Sequence, residues 1–167
     1  FDTDMVRNQD DELNARILRA GGKILLLPNL VIKYYCRANL VDFLRMFFQY
    51  AQFKPLGNIK VGKVSTLRQL APPIFVLGLT IVWSLFFFGL LDLILPAILT
   101  LSYLGIISVV ATRVALQNRL GIKGLLLLSL TFTAVHFSYG IGYFKGIYDF
   151  IICKKHKLGT INIASSR

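Results

Sequence analysis

Polarity along the chain changes near Leu70. Up to residue 69 charged and apolar positions are interleaved; beyond it come three runs with no charged side chain. Residues 71–91, APPIFVLGLTIVWSLFFFGLL, are uncharged for 21 positions, residues 93–112 for 20 and residues 124–144 for 21. A helix of about 20 apolar residues crosses the roughly 30 Å of bilayer hydrocarbon. Each run therefore predicts a transmembrane helix, and three in succession argue against buried helices of a soluble core. Only Asp92 separates the first two, with Gly89 and Pro96 beside it, so a tight hairpin is expected there.

The positions before Leu70 predict a compact mixed segment. Asn8 suits a helix N-cap, Leu13, Ile17 and Ala20 share one helical face, and the Gly21-Gly22 pair should end that helix. KILLLP at 23–28 and LVIKYY at 30–35 read as β-strands broken at Pro28-Asn29. Residues 39–54, NLVDFLRMFFQYAQFK, read as a helix that Asn39 can cap. Its face of Leu40, Phe43, Leu44, Phe47 and Phe48, edged by Arg45 and Lys54, suits the headgroup layer of a membrane. Periodicity alone serves a soluble core helix nearly as well.

Composition fits this division. The chain has 167 residues, 55% hydrophobic, with a mean hydropathy of +0.63, too apolar for an ordinary soluble domain. Nineteen bases against eight acids give a net charge of +11. They flank the apolar runs, a pattern for anionic headgroups, and no nucleic-acid-reading motif accompanies them. Positive-inside logic places Lys54, Lys60, Lys63 and Arg68, and the later Arg113, Arg119 and Lys123, on the cytoplasmic side, with Asp92 outside. Three crossings then put the tail outside, yet Lys145, Lys154, Lys155 and Lys157 favour the inside. Two resolutions stay open: KGIYDFIICKKHK as an interfacial helix, or a third run longer than one span. Cys36 and Cys153 have neither metal-ligand nor disulfide-framework spacing and suit a reducing cytosolic face. The chain opens on Phe1 without a signal-peptide pattern, so the expectation is the C-terminal piece of a longer protein.

Asp10, Asp11 and Glu12 stand side by side at the head of the first helix. Negative charge there is favoured by roughly 0.3–1 kcal/mol through the helix dipole and the free N–H groups. The sharper reading makes one of the three a general base for an attacking hydroxyl. A calcium loop over DTDMVRNQDDE fails, because Val6 occupies a ligand position and no glycine marks the sharp turn. Gly140, Gly142 and Gly146 match no dinucleotide fingerprint. Ser138, Gly142 and Gly146 instead form small-xxx-small steps suited to close helix packing. His136, inside the third run, is a functional candidate or a neutral histidine bonded to a neighbouring helix. His156, in KKHK, reads as surface.

Taken together, residues 1–56 resemble the end of the catalytic domain of a family-2 glycosyltransferase, closest to the membrane-anchored, succinoglycan-type exopolysaccharide transferases. FDTDMVRNQDDELNARILRAGGKILLLP is similar to the family's acidic region with its helix and following strand. RMFFQYAQFK is similar to the Q-x-x-R-W segment on an interfacial helix, and the tail with HFSYGIGYFKGI to the subgroup's membrane region. Aligning QDDEL on E-D-x-[DE]-L places Asp10 on the catalytic base, Glu12 on the second acid and Asp11 on the variable position. Gln9 replaces the usual acid before Asp10. The register rests on Leu13 and Arg16, so Asp11 is the alternative base. Gln49 falls on the Gln of the second motif, Gln52 where Arg is usual and Phe53 where Trp is usual. Lys54 or Arg45 would then neutralise a donor diphosphate.

The resemblance implies an α/β fold, the C-terminal part of a GT-A domain, followed by about three transmembrane spans. The expected organisation is residues 1–56 as the catalytic-domain portion with the interfacial helix 39–54, a basic linker 57–69, a membrane region 70–152 and a basic tail 153–167. It implies a nucleotide-sugar donor, a lipid-linked or polysaccharide acceptor, and inversion at the anomeric carbon. A divalent metal, Mg or Mn, would be held by ligands upstream of this chain, leaving the fragment inactive alone. The expected place is the cell membrane, multi-pass, with the catalytic part cytoplasmic. Two other classes compete: a small helical membrane subunit without chemistry of its own, and a transporter. With His136 as the one ionisable residue in the spans, an ion path has little support.

Overall fold

A computed structural model describes residue 2 and residues 4–35, 37–64 and 66–155. Cys36, His156 and the tail from 156 onward lie outside the described residues, and the expectations for them with it. The elements run α1 (Gln9–Arg19), α2 (Leu40–Val61), a 3-10 turn (Leu67–Leu70), α3 (Ala71–Phe87), α4 (Ile94–Gln117) and α5 (Ile122–Gly146), the last continued by a π-helical stretch (Ile147–Ile152).

The expected α/β architecture is overturned. Among the described residues there is no strand and no sheet, and so no part of a GT-A domain. KILLLP and LVIKYY take no regular secondary structure and are joined by a turn at Pro28-Asn29 that the Leu30 N–H closes on the Leu27 carbonyl at 3.2 Å. The cause is physical. A helix satisfies its backbone within itself, whereas a strand needs a neighbour, and even an isolated hairpin is marginal in water.

α1 ends as its sequence predicts. Gly21 takes φ +77°, Ala20 N–H bonds the Arg16 carbonyl, and Gly22 N–H bonds the Ile17 carbonyl at 2.9 Å, closing orphan carbonyls of the last turn. Asn8 does not cap it. Its backbone is left-handed and its side chain donates to the Tyr50 carbonyl at 2.9 Å, tying the head of α1 to α2. Asn39 does cap α2, accepting from Val41 N–H at 2.9 Å. α2 runs past Pro55 to Val61. The proline removes one ladder bond, while buried Phe53 and Leu56 pack with Met5 and Phe150 around that turn. Gly62, at φ +72°, ends the helix.

Among the described residues, three helices are long and apolar enough to cross a membrane: Leu67–Phe87, Ile94–Gln117 and Ile122–Ile152. Gly89, at φ +71°, turns the chain after α3, with Leu90 N–H on the Leu85 carbonyl at 2.8 Å. Several polar groups inside these helices find partners, as hydrocarbon demands. Thr80 and Thr100 each bond the carbonyl four residues back, and Trp83 Nε1–H donates to Thr100 Oγ1 at 3.1 Å. His136 is joined to a neighbouring helix, its Nδ1 lying 3.0 Å from the Tyr103 hydroxyl of α4. Tyr103 in turn stacks on Phe75 of α3, with centroids 4.3 Å apart.

The closest packing is between α2 and the second half of α5. Ser138 Oγ donates to the Leu44 carbonyl at 2.8 Å. A Cβ added at Gly142 would strike the Phe48 carbonyl, and one at Gly146 the Gln52 carbonyl. Contacts at 138, 142 and 146 meet 44, 48 and 52, so the two helices run parallel in step, one turn at a time. The small-residue ladder packs α5 against the helix that precedes the membrane region.

Candidate active site

The head of α1 lies on the middle of α2, and polar pairs fix it there. Arg7 Nη2 donates to Gln49 Oε1 at 3.0 Å. Lys54 forms an ion pair with Asp11. Lys60 Nζ meets Asp2 at 2.5 Å and Asp4 at 2.9 Å. The Lys60 hydrogen bond holds the Asp2 carboxyl below its usual range, against some burial. Burial works against the Lys60 charge, but the bonds from Asp2 and Asp4 outweigh it and raise its pKa. Met5, fully buried, joins Phe53, Leu56 and Phe150 in a core that clamps the same junction.

The three acids have different surroundings. Asp10 is exposed and meets no cation among the described residues. Asp11 is half-exposed and engaged by Lys54. Glu12 is buried, with Oε1 2.8 Å from Arg16 Nε and Oε2 accepting from Arg16 Nη2 at 3.0 Å. A carboxylate held by both oxygens in a fork is a structural anchor. Asp10 is the acid whose oxygens stay open to an incoming hydroxyl.

The residues aligned with the second motif also separate. Gln49 is bound to Arg7. Gln52 faces α5, its Nε2 donating to Asp149 Oδ2 at 2.9 Å. Phe53 is fully buried, 5.3 Å centroid to centroid from Phe150. Arg45 is exposed and 3.6 Å from Asp42 on its own helix. Of this group, Lys54 alone joins the acids of α1. Asp149 escaped the sequence reading. It is buried and takes Lys145 and Lys155 at 2.6 and 2.7 Å besides Gln52. The i,i+4 spacing of Lys145 and Asp149 was its signal. Among the described residues no trio of His, Cys, Asp or Glu is arranged to hold a metal ion. The divalent cation that the resemblance implies would be held by ligands upstream of this chain, not by the acids of α1.

No family model matches the sequence, and no solved structure matches it at a significant level. A curated relative does. Over 147 residues, 88% of this chain, the sequence is 28% identical to a protein of Methanococcus voltae named dolichyl N-acetyl-alpha-D-glucosaminyl phosphate 3-beta-D-2,3-diacetamido-2,3-dideoxy-beta-D-glucuronosyltransferase. By its name the relative is a glycosyltransferase acting on a dolichyl phosphate-linked sugar. The chain spans 41% of the relative's length. The likeness supports a glycosyltransferase; it carries neither the family-2 nor the succinoglycan-type label.

Proposed function

We propose that this chain is the membrane-anchoring part of a glycosyltransferase that moves a sugar from a nucleotide-sugar to a lipid-linked acceptor. The similarity to the Methanococcus voltae transferase, over 147 residues of this chain, carries the reading. The acids of α1 supply its chemistry. Asp10 accepts the proton of the acceptor hydroxyl as that oxygen attacks the anomeric carbon; the sugar–phosphate bond breaks, the nucleoside diphosphate leaves, and configuration inverts. Asp11 is the alternative base, with one oxygen already engaged by Lys54. The narrower likeness to family-2, succinoglycan-type enzymes rests on the QDDEL block, the RMFFQYAQFK segment and the tail with HFSYGIGYFKGI. The cytoplasmic side is proposed from the basic flanks of the first span.

A positioned general base contributes about 10²–10⁴-fold to rate. Asp10→Asn in the intact protein should therefore lower sugar transfer to the lipid acceptor by at least about 100-fold at normal expression, and Asp11→Asn by less. Unchanged transfer in Asp10→Asn removes Asp10 from the base role. A larger loss in Asp11→Asn moves the role one residue along.

A further inference from the structure

A cleft of about 390 Å³ opens between α1 and the end of α2, lined among others by Asp11, Asn14, Arg19, Lys54, Lys63 and Thr66. The charges within it do not cancel. Lys54 is matched by Asp11, whereas Arg19 and Lys63 meet no carboxylate among the described residues. The other cations of α1 and α2 are neutralised: Arg16 by Glu12, Arg45 by Asp42, Lys60 by Asp2 and Asp4. Two cations are thus left over in one concavity, with an amide and a hydroxyl beside them. The fold also places them. The Arg19 guanidinium lies 3.4 Å from where a Cβ at Gly62 would stand, at the closing turn of α2.

The position relative to the membrane narrows the ligand. Lys63 precedes the first span at Leu67 by four residues, at most about 14 Å of extended chain. The cleft therefore opens at headgroup depth. The phosphate that joins a sugar to its lipid stays anionic at neutral pH and offers strong acceptor oxygens, suited to fixed cations and neutral donors. The geometry points to a binding site for the phosphate of a membrane lipid, with Arg19 and Lys63 as its charge partners and Asn14 and Thr66 as its neutral donors. Resting on the glycosyltransferase reading, this is the place where the lipid-linked acceptor is held by its phosphate, with Asp11 on the wall of the same cleft and Asp10 beside it in sequence.

The test uses the intact protein in neutral detergent. Its probes are a short-chain polyprenyl monophosphate, the corresponding polyprenol, inorganic phosphate and a nucleoside diphosphate. The monophosphate should bind about tenfold or more tightly than the alcohol, since charge-assisted bonds to phosphate are the strong ones. Arg19→Gln with Lys63→Gln should erase that preference. Arg19→Lys with Lys63→Arg should keep it, and Lys123→Gln, a basic residue outside the cleft, should leave it unchanged. Equal binding of alcohol and monophosphate overturns the site, as does an unaffected double-glutamine variant. Inorganic phosphate or the nucleoside diphosphate competing as well as the lipid overturns the lipid as its source. Sugar transfer is scored separately. Cation-dependent lipid binding without transfer would keep the cleft and remove the transferase; transfer with unaltered lipid affinity in the double-glutamine variant would do the reverse.

Discussion

Residues 24–35 and the α2–α5 contact are both rich in apolar side chains, and they end in opposite states. Leu25, Leu26, Val31 and Tyr35 are each more than 80% exposed. Along α2 and α5, backbone meets backbone with no room for a methyl group at Gly142 or Gly146. Hydrophobicity does not separate them. What differs is where the backbone hydrogen bonds go. The helices close theirs internally and bring finished surfaces to each other, while residues 24–35 find no strand partner among the described residues.

The largest effect that would sharpen this contrast is at the glycines. Gly142→Leu and Gly146→Leu drive a side chain into carbonyls of α2 that cannot rotate away. The cost should reach or exceed the top of the roughly 1–3 kcal/mol range for overpacking, read as a lowered unfolding midpoint in detergent and as poor expression. Gly105→Ala on α4, with nothing within 4 Å of the new methyl, should be neutral or stabilising by up to about 1 kcal/mol. Equal effects at the three sites would dissolve the contrast.

Next comes the polar lock at the far end of the same contact. Asp149 is buried and holds Gln52 across the two helices. Asp149→Ala strands that amide and should cost about 1–3 kcal/mol by the same melting measurement. Lys155→Ala, which removes a partly exposed partner that water can replace, should cost much less.

These two cases show what could be read from sequence. The three spans were legible because a charge-free run of helical length has few other solutions in a membrane protein, and the Ser138-Gly142-Gly146 step was legible because small residues at i, i+4, i+8 share one face. The partner of that face was not. Nothing in a local pattern says that it meets Leu44, Phe48 and Gln52 ninety-odd positions earlier. The strands misread for the same reason, since short apolar runs with β-branched residues at 23–35 would suit a sheet without supplying the sheet. In the candidate site, Asp10, Asp11 and Glu12 stood out as a cluster. Their separation into an open acid, a lysine-paired acid and a buried Arg16-bound acid depends on α2 and could come only from the packed chain.

A smaller effect tests how the N-terminal residues join the packed side. The folded pKa of Asp2 lies below its ordinary 3.8, so the stabilisation is fully present above that value and is lost as pH falls through the folded pKa. The folded pKa of Lys60 lies above its ordinary 10.5, so its share is present below that value and lost as pH rises further. For a pair this near the surface the contribution is about 1 kcal/mol or less. The unfolding midpoint of the intact protein should show an extra decline below about pH 4 that Asp2→Asn removes. An identical acid profile in that variant would detach residues 2–4 from the packed region.

The smallest expected effect belongs to residues 24–35, and it bears most directly on what separates the two regions. A half-buried strand would show exposure alternating residue by residue. Here Ile24, Leu25, Leu26 and Leu27 are 50%, 81%, 88% and 56% exposed, and Leu30, Val31 and Ile32 are 68%, 85% and 79% exposed, with no period of two. Each side chain meets the solvent largely on its own, so Leu26→Ser and Val31→Ser should change stability by no more than about 0.5 kcal/mol, the usual span for surface positions. The amides of 23–27 should exchange with solvent as an open loop does, while those of α2 and α5 are protected by the global stability of the fold. Losses above about 1 kcal/mol together with slow exchange at 23–27 would mean that this segment is packed in the intact protein. The difference between the two regions would then be one of which partner each has found, and no longer of whether it has one.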